Sequence, residues 1–340
     1  MKNIFIIGEQ RSGSNLLRLI LSKHSTIAAP HPPHILTRFM PLLPLYGDLH
    51  KAENFCLLIE DVCTLVERNP VSWNLKFDRK VVEKACKENS LMAIFDVIMN
   101  VYVQEQKKEH WICKSLKNVE FAKELETFYQ NPIYIYLHRD PRDVVLSFKK
   151  AVVGEKHPYF SATHWTNLQL KCLELKKTIP LNRFFEISYQ QLTQEPEKYV
   201  PQMCRFLGIN YSEDMLLFYQ QQEAKKAAAA SSLWENLKKP ILKENTQKYK
   251  NELPNKEILI VEKIAQKELK ELGYQSMFSN QEIEEFAFSE KDIESFSLLN
   301  IKEKKQVRAQ AQKEDLERRT HQLQVLENVR KRILPKHKCL

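Results

Sequence analysis

Eight residues near the start, Gly8-Glu9-Gln10-Arg11-Ser12-Gly13-Ser14-Asn15, lie between two apolar runs, Ile4-Phe5-Ile6-Ile7 and Leu16-Leu17-Arg18-Leu19-Ile20-Leu21. This spacing predicts a strand, a glycine turn and the start of a helix. Such a turn aims backbone N–H groups and the positive end of a helix dipole at one point, where an anion can sit. The pattern is close to the nucleotide-triphosphate loop G-x-x-x-x-G-K-[ST]. It departs from that loop at two positions: Ser14 stands where the lysine would be, and Asn15 where the magnesium ligand would be. The loop is therefore poorly built for Mg·ATP, and Arg11 supplies the positive charge instead. The expectation is an anion bound without a metal.

The rest of the chain alternates strand and helix patterns. Trp111-Ile112-Cys113 ends at Lys114, Ile133-Tyr134-Ile135-Tyr136-Leu137 reads as a central parallel strand, and residues 183–187 as a further strand. Helical patterns cover about 52–68, 78–89, 91–107, 118–129, 143–150, 196–206 and 255–272, the last two stopped by Gly208 and Gly273. The fold class expected is α/β, a P-loop-type parallel sheet flanked by helices, with a C-terminal helical extension. Residues 28–48 carry five prolines, which rules out a regular helix or central strand. Beside an anion loop, this stiff apolar segment suits the wall of an acceptor pocket, with Ile35, Leu36, Phe39, Met40, Leu42 and Leu43 facing an acceptor that has apolar surface.

Charge separates the body from the tail. The net charge is +9, yet residues 301–340 hold twelve Lys/Arg against five Asp/Glu, so +7 lies in the last forty residues. A nucleic-acid groove in the main domain is not implied. We expect a domain over 1–280 and a basic helical or partly disordered extension over 281–340. The extension has a weak heptad pattern in Leu316 and Leu323 and in Leu326 and Ile333, so it suits an oligomer contact or an acidic partner as well as a solvated helix. Seven dispersed cysteines without C-x-x-C spacing argue for reduced thiols and a cytoplasmic protein, and the first apolar run is too short for a signal peptide.

A second anion element follows the strand at 133–137. Arg139 stands at its carboxyl end, where ligands bind in open α/β sheets, and Ser147 follows on the next helix. A guanidinium and a hydroxyl converging there can hold a phosphate, although an Arg142–Asp143 surface pair would explain part of the same sequence.

Together the two segments resemble the sulfotransferase superfamily, whose members use 3′-phosphoadenosine 5′-phosphosulfate (PAPS). Its 5′-phosphosulfate loop is matched by Arg11-Ser12-Gly13-Ser14-Asn15-Leu16, and its 3′-phosphate element by Arg139 and Ser147. The segment from Phe185 through Tyr189 and Leu192 to Pro196, followed by Phe206-Leu207-Gly208, resembles the family's strand-YEDL-…-FLG segment. The resemblance makes Tyr189 an adenosine contact, with Gln190 and Gln191 in place of the usual acidic pair. Ser231 to Pro240 is similar to the S-…-[NQ]-[LV]-x-K-P loop of tyrosylprotein and bacterial members, which adds Ser232, Lys239 and the later Lys248. Lys114 matches the family's second-strand lysine. Residues after about 285 lie outside the resemblance.

The resemblance implies a sulfotransferase moving a sulfuryl group from PAPS to a hydroxyl or amine by in-line displacement. Arg11 and the loop amides, Lys114 and Ser232 would stabilise charge around the leaving oxygen, with no metal. The base is less defined. Leu116 stands where cytosolic animal members keep a histidine, and Pro32 where tyrosylprotein members keep a glutamate. The nearby histidines in His31-Pro32-Pro33-His34 are the candidates, His34 slightly ahead of His31, with an ordinary histidine pKa near 6.5 expected. Two other readings stay open: a P-loop nucleotide or small-molecule kinase, and a non-catalytic protein that binds acidic partners through its basic tail. The acceptor itself is not named by the sequence.

Overall fold

The computed structural model describes residues 1–333. Its centre is a five-stranded, wholly parallel sheet: β1 (Asn3–Gly8), β2 (Ile27–Ala28), β3 (His110–Cys113), β4 (Ile133–His138) and β5 (Phe184–Ser188), in the order β2-β3-β1-β4-β5. Helices cover both faces, which is why these strands are apolar on both sides. The period of two divides them cleanly. Phe5, Trp111, Tyr134 and Tyr136 face one layer with helices Ala52–Glu67 and Leu91–Glu105. Ile4, Ile6, Ile135 and Leu137 face the other, against the helices Ser14–Ser22 and Pro196–Leu207. Phe5 lies edge-on to Trp111 at 5.3 Å and stacks on Tyr134 at 5.8 Å. Each such fully buried ring contributes about 1.5–3 kcal/mol through burial.

This topology sets the site. β3, β1, β4 and β5 are neighbours, and their carboxyl ends deliver Lys114, the glycine loop, Arg139 and Tyr189 to one edge of the sheet. Gly8 has φ +132°, and a Cβ there would collide with the carbonyl oxygen of Leu137 on β4. Only glycine lets the loop leave the sheet this close to its neighbour.

The proline-rich segment forms no long helix. It breaks into the short helix Ile35–Phe39, a 3₁₀ turn Met40–Leu42 and one further turn Leu43–Tyr46. Edge strand β2 is two residues long, too short to show in a pattern. The long helix Pro158–Thr178 has its apolar residues spread around its axis, so it shows no clear periodic face.

The expected extension folds as helices Glu290–Ala309 and Lys313–Ile333. The second lies back on the body: Val325, Leu326 and Val329 are buried in the same layer as Phe5 and Trp111. Gln322 donates to the Leu65 carbonyl at 3.0 Å, and Arg332 pairs with Asp61. Among the described residues no helix is long and apolar enough to cross a membrane.

Candidate active site

A cavity of about 810 Å³ opens over the carboxyl ends of the strands. Among the described residues, eight Lys and Arg side chains line it and one carboxylate, Asp143. Such a field favours an anionic ligand.

The glycine loop forms its floor. Arg11 and Gly13 are both left-handed, at φ 67° and 85°. Gly13 caps the helix Ser14–Ser22 without a side-chain bond, and no acidic residue occupies the first turn. The first amides of that helix are thus left for a ligand. A Cβ on Gly13 would run into the Tyr189 ring. The Ser12 hydroxyl is buried and unpartnered, and Ser12 does not reach the cavity wall. Ser14, Asn15 and Leu16 do.

The second element meets the first. Arg11 Nε donates to Ser147 Oγ at 2.9 Å, and Arg139 Nη1 donates to the Arg11 carbonyl at 3.0 Å. The Arg139 guanidinium lies 4.3 Å over the Tyr189 ring, while its Nε is buried without a partner. Its Nη2 donates to the Asn245 carbonyl at 2.7 Å, and Asn245 Nδ2 donates to Tyr189 Oη at 2.9 Å. Asp143 receives the backbone amides of Gln247 and Tyr249 at 2.7 and 3.2 Å, which fixes the loop carrying Asn245 and Lys248. Asp143 is therefore a brace for this loop, and Arg142 turns away to a buried network with Asp140 and Glu262.

Lys114 is buried at the end of β3 and donates to Asn15 Oδ1 at 3.1 Å. Burial, then the charges of Arg18 and Arg11, bring its ammonium down to about 7. Burial and the charges of Arg139 and Arg319 lower Arg11 to about 10. Arg18 sits in the apolar face of its helix, fully buried. It is held by the Ala29 carbonyl and Glu223, with Nε and Nη2 unpartnered. An arginine inside Leu16–Leu21 was a visible anomaly in the sequence.

Both histidines line the cavity, but the structure treats them differently. His31 is buried, and its Nδ1 lies 2.7 Å from Asn69 Oδ1. Asn69 is itself fixed, since its Nδ2 donates to the Pro32 carbonyl at 3.0 Å. This places the proton on Nδ1 and leaves Nε2, which has no partner, as the basic atom. The ring stands edge-on to Trp234 at 5.0 Å. His34 has a left-handed backbone (φ 56°), and its amide donates to Ser115 Oγ at 3.1 Å. No side-chain bond orients its ring among the described residues. Of the two candidates, with His34 slightly preferred from sequence, it is the His31 ring that the protein orients. The ordinary pKa expected is corrected. Burial, then Arg18 and Lys114, hold His31 well below its usual range. Burial, then Arg38, Lys114 and Lys117, hold His34 at about 3. Both rings are neutral at pH 7.

Tyr189 and Lys248 line the cavity as expected. Ile35, Leu36, Phe39, Met40, Leu42 and Leu43 do not: they pack into the core against the helices beside the sheet, which corrects the expected apolar acceptor wall. Lys239 does not line it either: its side chain is exposed, because the 3₁₀ turn Ser232–Lys238 closes just before it and the extended backbone turns it outward. The Ser232 side chain lies outside the described residues. Sequence reasoning missed Asn69, Asn245 and Arg18, and also the docking of the helix Lys313–Ile333 onto the site. That helix contributes Arg319, Gln322 and Leu323 to the cavity wall. Asp315 accepts from Ser231 Oγ at 2.5 Å and from Arg319 Nε at 2.8 Å, and Arg318 donates to the Ala229 carbonyl at 2.8 Å. The C-terminal helix therefore ties down the loop that begins at Ser231.

A sulfotransferase family model matches residues 3–213, well over half of the chain. The chain belongs to the sulfotransferase family. Its fold is similar to the sulfotransferase domain from the Synechococcus PCC 7002 olefin synthase, at 22% identity and a TM-score of 0.56, covering 81% of this chain and 97% of that one. It is also similar to the sulfotransferase domain from the curacin biosynthetic pathway, at 25% identity and a TM-score of 0.54, covering 81% and 98%. An uncharacterized protein of Aquifex aeolicus (strain VF5) is 22% identical over 223 residues. The match takes in 63% of this chain but only 26% of that relative's length.

Proposed function

We propose that this sulfotransferase uses PAPS as its sulfuryl donor and transfers to a hydroxyl or amine acceptor. The observation that carries this reading is the joining of two anion elements, the uncapped loop with Arg11 and the element of Arg139 and Ser147, against the Tyr189 ring. The residues fit the group. Arg139 Nε is a buried donor without a protein partner, and the Gly13 cradle is one that a Cβ would fill. When bound, PAPS supplies an activated sulfuryl group whose leaving group is a phosphate.

The chain's own groups divide the remaining work. Arg11 and the loop amides would hold the phosphosulfate, Arg139 and Ser147 the 3′-phosphate, and Tyr189 the adenine side. Lys114, fixed on Asn15 of the loop, would neutralise charge on the leaving oxygen, where a positive charge counts most. His31 Nε2 takes the acceptor proton, with Asn69 holding the ring in the required tautomer. The kinase reading has no support in the loop, which lacks both the lysine and the metal ligand.

Arg139→Ala tests the donor directly. It should weaken 3′-phosphoadenosine 5′-phosphate (PAP) by roughly tenfold or more, since a charged hydrogen bond contributes about 1.5–3 kcal/mol. Adenosine 5′-phosphosulfate, which has no 3′-phosphate, should lose much less. Equal losses by calorimetry would remove Arg139 from the 3′-phosphate site.

Lys114 gives a pH signature. Its pKa is about 7 in the free protein, and a bound anion raises it, so binding takes up a proton. PAP affinity should therefore fall as pH rises above about 7. Calorimetry in buffers of different ionisation enthalpy should register that uptake, and Lys114→Ala should abolish it. Flat affinity between pH 6.5 and 9 would contradict this.

A further inference from the structure

The donor's charge does not account for the whole cationic wall. PAPS carries about four negative charges at neutral pH, and Arg11, Lys114, Arg139 and Lys248 answer to them. Two more cations line the same cavity beside His34. Arg38 is at the end of the short helix Ile35–Phe39, one turn after His34. Lys117 is in the 3₁₀ turn that follows Lys114.

Among the described residues neither is paired with a carboxylate. Among the described residues Arg38 makes no side-chain hydrogen bond and no ion pair, although it is half-buried. Lys117 Nζ has one contact, 3.2 Å to His164 Nε2. Glu9 reaches only the far side of that imidazole, at 3.1 Å from Nδ1. The one carboxylate of the cavity wall, Asp143, is committed at the other end, beside Arg139 at 3.7 Å. A partly buried guanidinium without a counter-charge costs stability, and such groups are retained where a ligand completes them. The electrostatic effect on His34 agrees with this, since Arg38 and Lys117 both depress it and no carboxylate opposes them. The same cavity is also lined by Leu116, Pro70, Leu233, Trp234 and Leu323.

We propose that the acceptor is an amphiphilic anion: an apolar body against Leu116, Trp234 and Leu323, with a carboxylate or phosphate held by Arg38 and Lys117. This rests on the sulfotransfer reading above, because it assigns the other cations to the donor. The acid group is an anchor and not the nucleophile. It lies on the His34 side, which leaves a hydroxyl or amine of the same molecule to reach His31.

The test uses the full chain saturated with PAP, so that the donor's anion sites are filled. Octanoate, octyl phosphate and octanol are titrated calorimetrically. At least one of the two anions should bind about tenfold or more tighter than the alcohol. That gap should close in Arg38→Gln and in Lys117→Gln, and shrink as salt is raised. PAP affinity should stay near wild type in both variants, which also shows that they are folded. If octanol binds as well as both anions, or if the gap survives in both variants, the anionic acceptor is overturned while the donor reading stands. If PAP itself does not bind, the reading beneath it fails, and this inference with it.

Discussion

His31→Ala should reduce sulfuryl transfer by about 10²–10⁴-fold, the usual contribution of a positioned general base. PAP affinity should change little, because among the described residues Nε2 carries no bond within the protein, while loss of the buried ring and its Asn69 bond should lower the melting temperature. The assignment rests on orientation. The imidazole is clamped between Asn69, at 2.7 Å from Nδ1, and the edge-on Trp234 ring, so its free nitrogen is the basic one. Asn69→Ala should therefore share part of the loss while retaining the histidine. Charge makes a second signature. With burial, Arg18 and Lys114 all pushing the ring toward its neutral form, the acidic limb of kcat/KM, which reports the free enzyme, should lie well below pH 6.5. Turnover measured with an acceptor identified by mass shift from labelled PAPS checks both. Near-normal turnover in His31→Ala with a large loss in His34→Ala would move the base to His34.

Lys114→Ala should lower kcat by about 10²–10³-fold, as removal of a single preorganised donor to developing charge does. The ammonium is buried at the end of β3 and fixed on Asn15 of the glycine loop, so it needs no reorganisation when the leaving oxygen becomes charged. Its effect should be concentrated in kcat and smaller in PAP binding at pH 8, where the lysine is largely neutral in the free protein. Lys114→Arg should not restore the wild-type rate. The guanidinium has a different shape and cannot place a single point charge as the ammonium does, and it would stand near Arg11 and Arg18, whose charges already disfavour a cation there. A variant with unchanged kcat and weakened PAP binding would make Lys114 a binding residue only.

Much of this site was legible because it is made of local sequence. Strand, glycine turn and helix start follow one another within residues 3–22, and the αL positions at Arg11 and Gly13 are what such a turn requires. Arg139 was found because a residue just past an apolar strand lies at the ligand edge of a parallel sheet, and Lys114 through the resemblance to the family's second-strand lysine. Long-range partners were not legible. Nothing beside Asn69 says that it will meet His31, 38 residues away, and nothing near Asn245 ties it to Tyr189. Nothing in the sequence marks Arg38 and Lys117 until the fold brings both to the cavity wall near His34. The tail was the hardest part. Its charge marks a solvated helix, yet Val325, Leu326 and Val329 form a short apolar edge that packs into the body and brings Arg319 to the cavity. Three apolar residues within five are too weak a period to separate docking from exposure.

The central claim is that the glycine loop and the Arg139–Ser147 element form a metal-free site for a nucleotide with phosphates at both 3′ and 5′ positions. Thermal unfolding with PAP, in chelator and without magnesium, measures this most directly, because a ligand that binds only the native state raises its melting temperature. PAP should raise it strongly and in proportion to the logarithm of its concentration, while ATP without magnesium should do far less and magnesium should add nothing to PAP. Stabilisation by Mg·ATP with no response to PAP would contradict the account.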